Sequence, residues 1–252
     1  MKKTFFIIFG MANFILFHVV IVMLFFFLYQ DNTFTRLNLS LPFAIAWDLL
    51  LLTLFTVPHS YLLTPAGRKF TQFLPPKLHM TFYAFHASAT LFIMCLFWAP
   101  FGEFYQAEGV LKISIYVLNT SCWLLIMWAI FTAGPMKQIG MEQWWNFIKN
   151  RPIHYNIPYN GPYRFMRHPI YVAFFGMIWF TPHLSISHLI LSVYWSIYLV
   201  WGAMNKDKRL LKNKEYYAYY KTTAATPMGY FWRASMISHF RLDKNSRFPS
   251  EK

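Results

Sequence analysis

Three stretches of the chain carry side chains able to do chemistry. From Gly161 to Tyr171 the sequence reads Gly-Pro-Tyr-Arg-Phe-Met-Arg-His-Pro-Ile-Tyr. It offers a permanent cation at Arg167, an imidazole at His168 and phenol rings at Tyr163 and Tyr171. Pro169 suits the first turn of a helix, where a missing N–H costs nothing. A second stretch, Asn205 to Leu211, holds the acid Asp207 and is followed by Tyr216, Tyr217, Tyr219, Tyr220 and Pro227. The third is His59, which follows Pro58 inside an apolar run; an ionisable group at membrane depth is a functional candidate by default. The plainer alternatives are an interfacial anchor for Arg167-His168-Pro169, a carbonyl partner for His59 and an interfacial aromatic belt for the tyrosines.

The remaining titratable residues point elsewhere. Cys95 and Cys122 lie in apolar runs without partner spacing, so neither a disulfide framework nor a metal site is expected. His18 and His86 read as hydrogen-bonding groups within a helix bundle. His183 and His188, five apart, read as solvated turn residues. Asp48 lies 11 residues before His59, about three helical turns or roughly 16 Å, too far for a direct pair; it reads as structural.

The elements that must position these groups are membrane helices. Of 252 residues, 57% are hydrophobic and 13% charged, against about 25% charged in a soluble domain. Apolar runs cover about 4–29, 41–63, 80–101, 110–132, 169–181 and 184–204, several of them longer than the roughly 20 residues that cross the hydrocarbon core. The first exceeds the 7 to 15 residues of a signal-peptide apolar region and is read as a retained helix. The fold expected is an all-α integral membrane protein of about six transmembrane helices. Runs five and six form a C-terminal helical hairpin turning at Pro182 and His183, which returns His168 and Asp207 to one surface.

Charge supports that count. The net charge is +14, but the basic residues sit between apolar runs, so membrane lipid rather than nucleic acid is the expected partner. In a six-span arrangement one side collects 21 Lys and Arg and the other only Arg36 and Lys112. The positive-inside rule then places both termini and the long 134–168 segment in the cytoplasm. Three regions follow: a four-helix membrane region (1–133), a cytoplasmic loop plus hairpin forming a pocket (134–227), and a basic tail (228–252).

The run from Gly161 to Tyr171, the return helix, the pattern Asp207-x-x-Leu210, the tyrosines and the closing Pro227 resemble the isoprenylcysteine carboxyl methyltransferase-like membrane enzymes. Leu54 to Ser60, Leu74-Pro75-Pro76 with Tyr83, and Leu96 to Pro100 resemble more narrowly the bacterial branch of methanethiol S-methyltransferases and NnrU-type proteins. The resemblance spans about Asp48 to Pro227 and implies an enzyme of a bacterial inner membrane that uses S-adenosylmethionine. Matched residue by residue, it implies that Tyr163, His168, Pro169, Ile170 and Tyr171 touch this cofactor. Tyr155, Asn156, Ile157 and Pro158 would belong to the loop that closes over it. Asp207 stands where the family has a Glu. A carboxylate can accept hydrogen bonds from a hydroxyl or amino group, and aromatic faces favour a sulfonium cation.

Two departures bear on the acceptor. Ala203 replaces the Arg with which the isoprenylcysteine enzymes hold a carboxylate, and Phe131 to Met136 replaces a His-Phe-Asp segment of the methanethiol enzymes. The leading expectation is methyl transfer to a small or lipophilic thiol, with Arg167 giving electrostatic help and His59 acting as base. A reductase using NADPH, which shares the hairpin motif, and a non-enzymatic NnrU-type protein are the alternatives.

Overall fold

The computed structural model describes residues 2–30, 34–35, 37–153 and 157–226. Tyr155, Asn156, Pro227 and the basic tail lie outside the described residues. The helices in chain order are α1 (Lys2–Gln30), α2 (Leu41–Leu62), α3 (Pro65–Phe70), α4 (His79–Phe97), α5 (Gly109–Ala133), α6 (Pro135–Gln138), α7 (Met141–Ile148), α8 (Pro169–Trp179), α9 (Ile186–Leu210) and α10 (Lys214–Thr222). Among the described residues the strands are those of a two-stranded ribbon, β1 (Glu103–Gln106) and β2 (His183–Ser185).

Helices α1, α2, α4, α5 and α9 are long and apolar enough to cross a membrane, whereas α8 has 11 residues. Eleven residues rise about 16 Å, roughly half the 30 Å hydrocarbon core. The chain still passes from one end of the bundle to the other here. Pro169 starts α8 beside the end of α9, and the segment after α8 reaches the opposite end, where β2 pairs antiparallel with β1 from the α4–α5 connection. Extended backbone at 180–185 completes the passage that the short helix begins.

Ending a helix inside a bundle leaves carbonyls without partners, a costly condition away from water. Here neighbouring side chains supply them. Asn119 Nδ2 donates to the carbonyls of Phe180 (2.7 Å) and Met177 (3.3 Å), Ser192 Oγ donates to Ile178 O (2.7 Å), and Tyr105 Oη donates to Thr181 O (2.7 Å). His188 Nε2 lies 3.1 Å from Ile178 O. This corrects the solvated reading of His188, which is fully buried and serves the end of α8.

Other boundaries also moved. α4 stops at Phe97, and the following Ala99 N–H donates to Asp48 Oδ1 at 2.9 Å, so buried Asp48 caps the turn that leaves the bundle. α9 begins at Ile186 and continues to Leu210, so Asp207 lies on its last turns rather than beyond them. His18 bonds the Phe14 carbonyl of its own helix, not a neighbour. The closest helix pairs are α1 with α4, α5 with α8, α2 with α4, and α8 with α9. Around the shared core of Phe27, Leu52, Met94, Trp98, Met177 and Leu191, outward apolar residues such as Val110, Ile113, Val117, Leu124 and Phe131 of α5 remain exposed. Such a stripe is stable against lipid.

Candidate functional site

The site forms where α8 starts and α9 ends. Gly161 opens the approach with φ +56°, and a Cβ there would lie 2.6 Å from Thr132 Oγ1 on α5. Only glycine combines that backbone region with that closeness. A short 3-10 turn over Gly161–Arg164 follows, burying Pro162 and Tyr163. It delivers Arg167 and His168 to the first turn of α8.

Asp207 joins the parts. Its Oδ2 accepts from Arg167 Nη2 at 3.0 Å, its Oδ1 accepts from the Tyr216 hydroxyl, and His168 Nε2 stands 3.0 Å from the same Oδ1, off the line of its ring N–H. Arg167 also donates to the carbonyls of Thr223 and Tyr220 (3.4 Å for the latter), and its guanidinium carbon sits 4.1 Å from the centre of the Tyr220 ring. The backbone N–H groups of Arg167 and His168 donate to the carbonyls of Ala224 (2.9 Å) and Ala225 (3.2 Å). The Tyr219 hydroxyl donates to the carbonyls of Tyr163 and Met166. The chain after α9 thus folds back over the Gly161–His168 turn and fastens it.

This differs from an interfacial belt of tyrosines. Tyr216 and Tyr219, three apart on α10, turn inward on one helix face, and Tyr220 covers Arg167. The sequence offers the tyrosines as a group near the acid without separate roles; the i, i+3 spacing of Tyr216 and Tyr219 is the signal for which two turn inward. The acid at their side, Asp207, faces Arg167, His168 and Tyr216.

Burial sets the protonation states. His168 is 2% exposed, and desolvation lowers its pKa below the usual imidazole value despite the opposing pull of Asp207. Burial pushes the Tyr163 phenol up to about 12, with the nearby Tyr171 adding to it. Burial, then the Asp207 contact, raises that of Tyr216. At neutral pH the site holds a neutral imidazole and intact phenols around the Arg167–Asp207 ion pair.

Several polar atoms in this cluster lack protein partners: His168 Nδ1, Arg167 Nε and the Tyr159 hydroxyl are buried without a hydrogen bond among the described residues. Buried polar atoms are ordinarily satisfied, so a polar ligand that donates to an imidazole nitrogen and accepts from a guanidinium N–H fits this set. The Tyr171 ring lies 5.3 Å from the His168 ring, edge to face, and Lys206 Nζ lies 5.6 Å from its centre. Pro169 is buried, and Ile170, Ile157 and Pro158 are half-buried.

His59 lies outside this cluster but is linked to it. Tyr171 rests on Gly202 of α9, where a Cβ would come within 3.3 Å of its ring. Tyr198, one turn earlier on α9, has its ring 6.4 Å from that of His59. The Tyr83 hydroxyl and His59 Nε2 share a hydrogen bond, so His59 is not spent on a carbonyl freed by Pro58. Beside these rings a cavity of about 610 Å³ opens between α2 and α9, with Thr56, Ser60, Tyr194, Tyr198, Ile197 and Trp201 among its walls. A second, of about 720 Å³, lies between the start of α1 and Gln72–Pro76 and touches none of these residues.

Comparison with known proteins yields relatives under two names, methanethiol S-methyltransferase and Nurim, at moderate identity. The chain is 29% identical over 182 residues to methanethiol S-methyltransferase of Pseudomonas deceptionensis, covering 69% of this chain and 68% of that protein. It is 24% identical over 180 residues to the methanethiol S-methyltransferase of Crocosphaera subtropica, covering 68% and 69%. Nurim of Rattus norvegicus is 25% identical over 188 residues, covering 69% and 72%. No family model matches. No solved structure matches.

Proposed function

We propose that this protein is a membrane methyltransferase that moves the methyl group of S-adenosylmethionine to the sulfur of a small thiol such as methanethiol. The observation that carries the reading is the buried, partly unsatisfied cluster of His168, Arg167 and Asp207 beside the Tyr171 ring, in a chain similar to several methanethiol S-methyltransferases.

S-adenosylmethionine, when bound, supplies an electrophilic methyl group on a sulfonium. The chain's own residues bind, orient and exclude water. Neutral His168 offers Nδ1 as an acceptor, and Arg167 Nε is a donor. Tyr163, Tyr171, Pro169 and Ile170 supply the wall. Asp207 is a positioning residue in this reading, because its oxygens hold Arg167, His168 and Tyr216. Arg167 likewise fixes the returning segment through Thr223 and Tyr220 and keeps the local charge balanced. Alignment of two reacting sulfurs can account for much of such a rate enhancement.

An uncharged acceptor fits the other side. Ala203, one turn before Asp207, brings no cation to hold a carboxylate, and the cavity between α2 and α9 is mostly apolar with a few hydroxyls. The asymmetry of Lys and Arg favours a cytoplasmic site and cytoplasmic termini in a bacterial inner membrane.

Equilibrium binding of labelled S-adenosylmethionine to detergent-purified protein tests the reading. Saturable binding, weakened at least tenfold by His168→Ala and Tyr171→Ala in protein that still folds, is expected. Binding of NADPH instead would favour a reductase, and binding of neither would favour a non-enzymatic role.

A further inference from the structure

The hydrogen bond between His59 on α2 and Tyr83 on α4 is the most specific polar contact that the cluster around Asp207 does not use. His59 Nε2 is engaged by the phenol, while Nδ1 is buried and meets no hydrogen-bond partner among the described residues. Phe55 lies 4.9 Å from the His59 ring, and Tyr198 stands edge-on at 6.4 Å. A lone histidine bonded to a tyrosine inside a bundle is ordinarily a structural link. A bare second nitrogen is not, because a link of that kind leaves a buried polar atom unsatisfied, which folded proteins ordinarily avoid.

The location gives the bare nitrogen a use. Tyr198 walls the cavity between α2 and α9 and sits on the same face of α9 as Gly202, on which Tyr171 rests. Tyr171 in turn packs on His168. The dyad therefore stands behind Tyr198, one ring from the cavity, and Gly202 and Tyr171 lead from Tyr198 to the cluster at the start of α8. An alkyl thiol, with a pKa near the 8.5 of a free cysteine or above, is mostly protonated at neutral pH, and its thiolate is the nucleophile.

Resting on the function proposed above, we propose that His59 and Tyr83 form the acceptor-activating dyad, in which His59 Nδ1 takes the proton of the thiol and Tyr83 fixes the tautomer that leaves Nδ1 unprotonated. His59 Nε2–H donates to the Tyr83 oxygen. The acceptor's S–H bond breaks, its electron pair stays on sulfur, and the proton forms the new N–H bond at Nδ1. The products of this step are a thiolate and an imidazolium whose Nε2–H remains on the phenol oxygen. His59 is the catalytic residue, and Tyr83 acts through it as a positioning residue.

The test uses full-length protein in detergent, with His59→Gln and Tyr83→Phe, two acceptors (methanethiol and the more acidic thiophenol) and S-adenosylhomocysteine as a binding probe. A positioned general base contributes typically 10²–10⁴-fold. His59→Gln should therefore lose about 100-fold in kcat with methanethiol at neutral pH while keeping its affinity for the probe. The loss should shrink as pH rises and shrink with thiophenol, since each supplies thiolate without a base. Tyr83→Phe should lose about tenfold with a displaced pH profile. Without turnover, the ultraviolet difference band of thiophenolate should appear at lower pH in probe-saturated wild type than in His59→Gln. Equal slowing for both thiols at every pH, or no slowing, overturns the dyad alone. If His59→Gln does not accumulate, an unshifted pH profile in Tyr83→Phe overturns it equally. Wild-type protein that binds no S-adenosylhomocysteine and methylates no thiol overturns the function reading, and the dyad with it.

Discussion

At the scale of residues, Asp207 carries more than its place in the sequence indicates. The motif made it a candidate contact for a ligand. In the structure it accepts from Arg167 and Tyr216 and faces His168, with its side chain 13% exposed. Removing one partner of a buried ion pair costs about 3 to 5 kcal/mol. Asp207→Asn should therefore lower the thermal transition of the detergent-solubilised protein by several degrees as well as weaken donor binding, and Asp207→Glu should retain more of both. Weaker binding at unchanged thermal stability would assign Asp207 to the ligand instead. His168 gives a pH signature. Its folded pKa is lowered, chiefly by burial, so the unfolded chain binds the extra proton first. The stabilisation is full above the unfolded value of about 6.5 and is lost as pH falls through it toward the lowered folded value. Thermal midpoints measured from pH 7.5 to 5 should fall less steeply in His168→Gln than in wild type.

At the scale of elements, the informative case is α8. Its start was legible because Pro169 follows a Gly-Pro turn and a cationic pair. Its end at Trp179 was not, because the residues that permit it, Asn119, His188, Ser192 and Tyr105, lie 10 to 76 positions away or on other helices. The length of α9 was underread for a related reason. Lys206 to Arg209 resemble the end of a span, yet no Gly or Pro falls between Ala203 and Leu210 to stop the helix, and Lys208 and Arg209 in its last turn favour the dipole there. Replacing Asn119 by Leu should leave the Phe180 and Met177 carbonyls without their donor, at about 1–3 kcal/mol. The expected outcome is a lower thermal midpoint with donor affinity reduced in step, read by the same binding titration. An unchanged midpoint would mean that α8 does not depend on this bond.

At the scale of the molecule, hydropathy and charge identified an all-α membrane protein, while the convergence of α8, α9 and α10 on Asp207 came from long-range contacts that no local pattern encodes. Five long helices and one short helix extended by the β1–β2 ribbon make a chain that traverses its own bundle six times. Reporter fusions after Met204 and within the 100–110 connection should report opposite sides of the membrane, and the same side for both would contradict that path. Thiol S-methylation at the site built on His168 and Asp207 is the activity to measure. Its most direct measurement is transfer of labelled methyl from S-adenosylmethionine to methanethiol by the purified protein, compared with folded His168→Ala. Labelled dimethyl sulfide should form in step with donor consumed and be lost in the variant. Protein that binds the donor yet methylates no thiol, or a His168→Ala variant as active as wild type, would contradict it.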